Sequence, residues 1–141
     1  MESQLNITVK DSVFDPNFPD SKDRKIHVHT ENDLHFYKVW LFLDGRHLPY
    51  VRHVTYTLHP TFPDPVRIVR RTLENPNCQL ILWTWGFFTV QVTIEDMRGG
   101  IYEMMHELSY GQELAQARPD DYKFESDVPS PPMRPQFRGI R

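Results

Sequence analysis

Two short segments hold the residue types best suited to recognising a ligand: residues 59–65 (HPTFPDP) and residues 83–88 (WTWGFF). Each follows a strand-like run, which predicts that Phe62 and Trp85 lie on loops. Two aromatic faces with a hydroxyl at their rim, here that of Thr61, are suited to grip a flat, apolar group that can hydrogen-bond. The remaining polar or small residues of interest in the two segments are His59, Thr84 and Gly86.

No other set of reactive residues predicts catalysis or a metal site. Cys78 is the single cysteine, so a disulfide framework is excluded, and nothing in the sequence activates its thiol as a nucleophile. Glu95 and Asp96 stand just before a turn signal, which favours solvated acids over an acid–base pair. The seven histidines lack the cysteine or carboxylate pattern of a zinc site. We therefore expect a protein that is not an enzyme and that holds no metal and no cofactor.

The composition is that of a globular protein of one-domain size. The 141 residues are 39% hydrophobic and 25% charged, which allows a sizeable core. The net charge of −3 argues against a protein that coats nucleic acid. No apolar run is long enough for a membrane span, and the N-terminus shows no secretory signal. With its lone cysteine, the chain is expected inside the cell, in the bacterial cytoplasm or, in a eukaryote, in the nucleus.

Alternation of apolar and polar residues with a period of two predicts half-buried antiparallel strands. It is clearest in residues 50–59 and 88–94, and turn signals stand at residues 44–45 and 98–100. The inward-facing residues of the two clearest strands are predicted to be Val54, Tyr56, Leu58, Val90, Val92 and Ile94. About seven or eight short strands separated by turns predict an all-β, immunoglobulin-like antiparallel β-sandwich.

Two segments permit a second interpretation. Residues 64–74 have apolar spacing that also suits a short helix, but their β-branched residues favour an extended segment. Residues 103–116 are rich in helix-forming residues although their beginning alternates like a strand.

Composition also divides the chain into three regions. Residues 1–24 hold one short strand and a polar loop, and residues 25–116 hold nearly all the strand patterning. Residues 117–141 contain five prolines and little to bury, which predicts a disordered or extended tail that folding does not need.

The order of these features resembles the YEATS domain family over residues 25–112. Residues 35–41 (HFYKVWL) match its opening histidine, aromatic residue and strand. Residues 58–65 (LHPTFPDP) match its loop of the form apolar-His-x-Ser/Thr-Phe-Pro-x-Pro at every signature position. Residues 85–92 (WGFFTVQV) fit its aromatic-glycine turn and the strand that follows. The two loop motifs together are a far more specific signal than either alone.

This resemblance implies a non-catalytic module that reads acylated lysine, such as acetyl- or crotonyl-lysine, in a partner protein. Phe62 and Trp85 would stack on the acyl amide, and Thr61 and a backbone N–H would bond it. The residues implied to bind acyl-lysine are His59, Thr61, Phe62, Thr84, Trp85 and Gly86. No nucleic acid and no membrane are expected as direct partners.

The chain differs from the family pattern at one position of the predicted cage and in its overall composition. Residues 32–34 lack the further aromatic residue that the family often supplies, which leaves the predicted cage open on one side. In being compact and mildly acidic, the chain is more similar to the prokaryotic branch of the family than to a chromatin subunit. That branch is linked to signalling and defence modules.

Several alternatives stay open at the level of sequence. Phe62 and Trp85 are also explained as core aromatics, and one of Trp83 and Trp85 as the core tryptophan. The Thr61 hydroxyl also suits a turn, and His59 also suits a solvent-exposed position. In that case the protein would be a protein-interaction adaptor, or a bacterial module that senses a small planar ligand, and not an acyl-lysine reader.

Overall fold

The computed structural model of the chain describes residues 5–17, 25–31, 33–109 and 119–125. Nine strands form two sheets in this part of the chain, and Leu48–Tyr50 and Pro119–Asp121 are short 3-10 helices. The strands are β1 Thr8–Ser12, β2 Ile26–Glu31, β3 Leu34–Asp44, β4 Val51–Thr57, β5 Val66–Arg70, β6 Leu80–Thr84, β7 Thr89–Asp96, β8 Ile101–Glu107 and β9 Tyr122–Phe124. The predicted all-β, immunoglobulin-like sandwich is confirmed, with one or two strands more than expected.

The first sheet is built around β3, the longest strand. Its long, mainly apolar run pairs with β6 along one edge, and β1 and β2 lie end to end along the other. The strand ends at Asp44, where Gly45 turns the chain with a φ of 139°. A Cβ at Gly45 would lie 2.2 Å from the backbone oxygen of Asn6, so only glycine fits this turn.

The second sheet has the strand order β5-β4-β7-β8 and is antiparallel throughout. Val54 pairs with Ile94 and Tyr56 pairs with Val92, so the two predicted inward faces lie side by side. The six residues that were predicted to face inward are all buried. Five lie on β4 and β7, and Leu58 directly follows β4. They pack against Val39, Leu41 and other residues of the first sheet, and this shared cluster is the core of the sandwich.

The structure decides between the two interpretations left open for two segments. Val66–Arg70 is a strand, as its β-branched residues favoured, and it forms one edge of the second sheet. Ile101–Glu107 is also a strand, so the helical interpretation is wrong for residues 103–107. Residues 110–118 lie outside the described residues.

Each of the two flanking regions contributes a strand to the first sheet. From residues 1–24, β1 pairs with β3; from residues 117–141, β9 pairs with β2 in the one parallel ladder of the described strands. Tyr122 is half-buried against the core, and the Glu125 carboxylate forms a hydrogen bond with the His27 ring. β9 is an extended strand that is only partly buried, since Phe124 is 70% exposed. Residues 126–141 lie outside the described residues.

Candidate functional site

The segment between β4 and β5 folds into a turn, which is closed by hydrogen bonds within its own backbone. The Leu58 N–H donates to the Pro65 carbonyl at 2.8 Å, and the Phe62 N–H donates to the His59 carbonyl at 3.0 Å. The Arg67 guanidinium donates to the carbonyl of Pro63 at 2.7 Å and also to that of Asp64. These bonds close the loop on itself and tie it to the start of β5.

His59 and Thr61 form a pair within this loop. The Thr61 N–H donates to His59 Nδ1 at 3.2 Å, and the Thr61 hydroxyl lies 3.0 Å from the same nitrogen. Because a backbone N–H can only donate, Nδ1 is an acceptor and the ring proton of neutral His59 is on Nε2. A hydrogen bond from the hydroxyl to Nδ1 shares the single lone pair of that nitrogen with the Thr61 N–H, and the hydroxyl oxygen keeps lone pairs that can accept a hydrogen bond.

Both residues therefore differ from the simpler alternatives. His59 is half-buried, and its ring also makes an edge contact with Phe88 at 6.1 Å between centroids. The hydroxyl of Thr61 contacts an imidazole, whereas the turn alternative predicted a bond to its own backbone. His59 thus contacts both Thr61 in its own loop and Phe88 before β7.

Phe62 is buried, with 6% of its surface exposed, and it belongs to the core cluster. Its ring lies 5.3 Å from the ring of Phe88 at an angle of 54°, a tilted aromatic pair. Phe62 thus joins the loop to the core and presents little surface to a ligand. The sequence allowed Phe62 to be a pocket wall or a core aromatic, and its burial favours the core aromatic.

The segment between β6 and β7 provides the second half of the candidate site. Thr84 is buried, and its hydroxyl donates to the Gly86 carbonyl at 3.3 Å, so this side chain shapes the turn. Trp85 is half-buried, and its indole nitrogen is shielded from solvent without a hydrogen-bond partner among the described residues. Trp83, two residues earlier, is buried outside the cluster between the sheets.

Phe88 is the residue that brings the two loops together, and sequence reasoning missed this role. It was predicted only as part of the β7 alternation, whereas its ring contacts both His59 and Phe62. The signal was present, because Phe88 shares the inward register of Val90 and follows directly on the 85–87 turn. The structure therefore places five of the six predicted binding residues in two loops that Phe88 links, and Thr84 at the end of β6 beside the second loop. Phe62 and Thr84 are mainly structural there.

The other candidate residues have structural explanations. Cys78 is buried, and burial raises the pKa of its thiol to about 11, which keeps it a neutral thiol at physiological pH. The Asp96 carboxylate accepts hydrogen bonds from the Gly100 and Arg98 N–H groups and the Tyr102 hydroxyl. These hydrogen bonds, of which that from the Gly100 N–H has the largest effect, lower the pKa of Asp96. Asp96 therefore stabilises the turn between β7 and β8.

Two kinds of feature are missing from the part of the chain that the structure describes. Its histidine, cysteine and carboxylate side chains nowhere gather three or more potential metal ligands. Nor does it contain a helix with the length and apolar character needed to cross a membrane.

An open cavity of about 290 Å³ lies at the opposite end of the sandwich from the two loops. It is bounded by the start of β4, the β7–β8 turn and the residues before β1. The lining residues are Leu5, His47, Tyr50, Asp96, Met97, Arg98 and Tyr102. Sequence reasoning did not predict this cavity, because its walls come from segments far apart in the chain.

Comparison with known proteins gives a family match and several structural relatives. The family model of the prokaryotic YEATS domain matches residues 37–109, just over half of the chain. TFIID subunit 14 of Schizosaccharomyces pombe, a transcription initiation factor, is 37% identical over 65 residues. That match covers 45% of this chain and 25% of the relative, so the chain spans about a quarter of the length of this protein.

Solved structures of similar fold include the YEATS domain of Yaf9. The Yaf9 YEATS domain recognising the H3K122suc peptide superposes with a TM-score of 0.50 and 14% identity, covering 79% of this chain and 82% of that one. The Yaf9 YEATS domain bound to H3K27ac gives 0.47 and 15% identity, covering 77% and 78%. At this level of identity the likeness to the first structure concerns the fold alone.

Proposed function

Because the chain belongs to the prokaryotic YEATS domain family, we propose that it is a non-catalytic reader module that binds acylated lysine in a partner protein. The observation that carries the proposal is the His59–Thr61 pair, which orients a hydroxyl at the rim of the site before a ligand arrives. The Yaf9 YEATS domain, which shares the fold and recognises an H3K122suc peptide, supports the same kind of ligand.

The chemistry of an acylated lysine matches these groups. Acylation removes the ammonium charge and leaves a planar amide with an apolar tail. The Thr61 oxygen, whose proton is directed to His59, is placed to accept the amide N–H, and the backbone N–H of Trp85 is proposed to donate to the amide carbonyl. Both polar atoms of the amide would then keep a hydrogen bond on burial, which avoids a penalty of about 1–3 kcal/mol for each unpaired group.

The aromatic residues are proposed to have unequal roles. Trp85 is half-buried and supplies the face on which the amide and acyl chain stack. Phe62, with 6% exposure, would touch the ligand only at its edge and would mainly hold the loop against Phe88. An unmodified lysine is expected to be refused, because its charge would enter the apolar slot between the aromatic residues unpaired.

A screen of lysine peptides by tryptophan fluorescence tests the proposal. Acetyl-, butyryl- and crotonyl-lysine peptides are expected to change the emission of the parent protein at concentrations where the unmodified peptide has no effect. Thr61→Val keeps the shape of the side chain and removes the hydroxyl, so it should weaken binding by about 0.5–1.5 kcal/mol, or roughly twofold to tenfold. Thr57→Val, on the neighbouring strand, is the matched control and should leave the affinity unchanged.

The cavity at the other end of the sandwich favours a second candidate function, the sensing of a small ligand. Its volume of about 290 Å³ is near the lower limit of common ligand pockets, roughly 300 Å³. Tyr50 and Met97 offer apolar surface there, and Arg98 offers a guanidinium. A protein that binds no acylated peptide but responds to small aromatic molecules, with Tyr50→Ala abolishing the response, would support this function.

A further inference from the structure

The second sheet ends on both sides in a strand that has a single partner among the described strands. β5 pairs with β4 alone, and β8 pairs with β7 alone. Both edge strands also carry exposed apolar side chains, those of Val66 and Ile68 on β5 and of Ile101 and Met105 on β8. A strand edge of this kind is a template on which a further strand can pair.

The hydrogen bonds beside these strands show which backbone groups point outward. The Leu58 N–H donates to the Pro65 carbonyl at 2.8 Å, in register with the ladder between β4 and β5, so the odd-numbered residues of β5 bond to β4. Backbone groups along a strand point alternately to its two sides, so the outward ones on β5 belong to Val66, Ile68 and Arg70. On β8 the Leu108 N–H donates to the Phe88 carbonyl at 3.2 Å, so there the odd-numbered residues of 101–107 point outward.

The two edges carry opposite charges. β5 contains Arg67 and Arg70 and no acidic residue, whereas β8 contains Glu103 and Glu107 and no lysine or arginine. Within the described part of the chain, neither Arg70 nor Glu103 takes part in an ion pair. Two β5 edges, or two β8 edges, would bring like charges together, whereas a β5 edge and a β8 edge attract each other.

We propose that β5 of one copy of this chain pairs with β8 of a second copy, so that the second sheet continues from copy to copy. The new ladder is antiparallel like the rest of the sheet, because β5 and β8 run in opposite directions within one copy. All copies then have the same orientation. Since the two surfaces in contact differ, the assembly is head-to-tail and forms a ring or an open row.

One register joins the outward backbone groups and also suits the side chains. It pairs Ile68 with Met105, Arg70 with Glu103, Val66 with Glu107, Val69 with Met104, and Arg67 with His106, beside the Asp11 carboxylate. The first is an apolar contact, and the second is an opposite-charge pair. Val69 and Met104 both pack against the core, so their contact would extend it from copy to copy. A shift by two residues would place Ile68 opposite Glu103.

This interface is small. The five residues of β5 are fewer than the roughly 20–30 per partner of a standard interface, so assembly is expected to be weak and to depend on protein concentration. Because all copies have the same orientation, the two loops of each copy would lie along one edge of the row. A partner with several acylated lysines would then bind with avidity, a consequence that alone rests on the proposed function.

Cysteine cross-linking tests the pairing and its register. Ile68→Cys and Met105→Cys proteins are mixed and mildly oxidised, and both keep the buried Cys78. Opposed positions of paired strands are close enough for a disulfide, so the mixture should cross-link at least about tenfold faster than either protein alone. Ile68→Cys mixed with Ile101→Cys is the matched control. It should show no such gain, because residue 101 lies about 13 Å further along the strand.

Charge exchange provides a second measurement, by sedimentation of the protein over a concentration series. Arg70→Glu and Glu103→Arg should each weaken self-association about threefold to tenfold, and the double variant should restore it. Glu74→Arg, at an exposed position of the loop after β5, is the control and should have no effect.

Three results overturn the inference. They are equal cross-linking rates in all mixtures, self-association that neither charge variant weakens, and a parent protein that stays monomeric over the whole series, which would leave the two edges to a partner of another kind. No acylated peptide enters these experiments, so their failure leaves the reader function standing, and a failure of peptide binding leaves the assembly standing.

Discussion

Replacing Phe62 by alanine tests whether this residue supports the loop or forms an open wall of the site. The side chain is 6% exposed, belongs to the core cluster and lies 5.3 Å from the ring of Phe88. Truncation of a buried phenylalanine costs about 3–5 kcal/mol, since apolar contacts are lost and a cavity remains. Because the Phe62 ring is almost fully covered, Phe62→Ala is expected to lower the free energy of unfolding by this amount.

Urea unfolding followed by tryptophan fluorescence measures the effect, with Phe87→Ala as the matched control. Phe87 lies in the neighbouring loop but is 40% exposed, so its truncation should cost less than about 1 kcal/mol. A double-mutant cycle with Phe88→Ala should give a coupling of about 0.5–1.5 kcal/mol for the aromatic pair. If Phe62→Ala costs no more than Phe87→Ala, or if the cycle gives no coupling, the structural role argued for Phe62 is refuted.

Three further predictions concern the fold. Removing β9 by ending the chain at Gln116 should lower the free energy of unfolding by about 2 kcal/mol or more, since β2 loses its parallel partner; an unchanged stability would contradict the pairing. Leu58→Ala should cost about 2–5 kcal/mol and Thr57→Ala much less, and equal costs would contradict the β4 register. Burial raises the pKa of the Cys78 thiol to about 11, so a thiol reagent at pH 8 should react far more slowly with native protein than with protein in urea; equal rates would refute this burial.

The sandwich could be predicted because its central strands carry their register in their own sequence. Val54, Tyr56 and Leu58 alternate with polar residues, and a shift by one position would expose all three. Val66–Arg70 could be recognised as a strand from its β-branched residues, despite apolar spacing that also suits a helix. In residues 54–58 the alternation matches the burial, whereas in Val66–Arg70, where Val66 and Ile68 are exposed, β-branched propensity alone indicates the strand.

β9 and the contacts of the site depend on residues far apart in the chain, which limits sequence reasoning. The three residues of β9 are too few to show alternation, and their order comes from pairing with β2 about 96 positions earlier. The tilted contact between Phe62 and Phe88 likewise joins two loops that no local pattern relates. The composition of the loops indicated candidate binding residues. Only the fold shows that His59 contacts Thr61 and that the buried indole nitrogen of Trp85 lacks a hydrogen-bond partner among the described residues.

Mapping the ligand contacts by NMR tests the central claim, acyl-lysine binding at the two loops, most directly. The measurement is a titration of isotope-labelled protein with an acyl-lysine peptide, against the same peptide with unmodified lysine. The account predicts that the acylated peptide alone shifts the backbone N–H signals of residues 58–65 and 84–88 and the indole signal of Trp85. Shifts confined to Tyr50 and Met97 at the opposite end, or no difference between the two peptides, would contradict it.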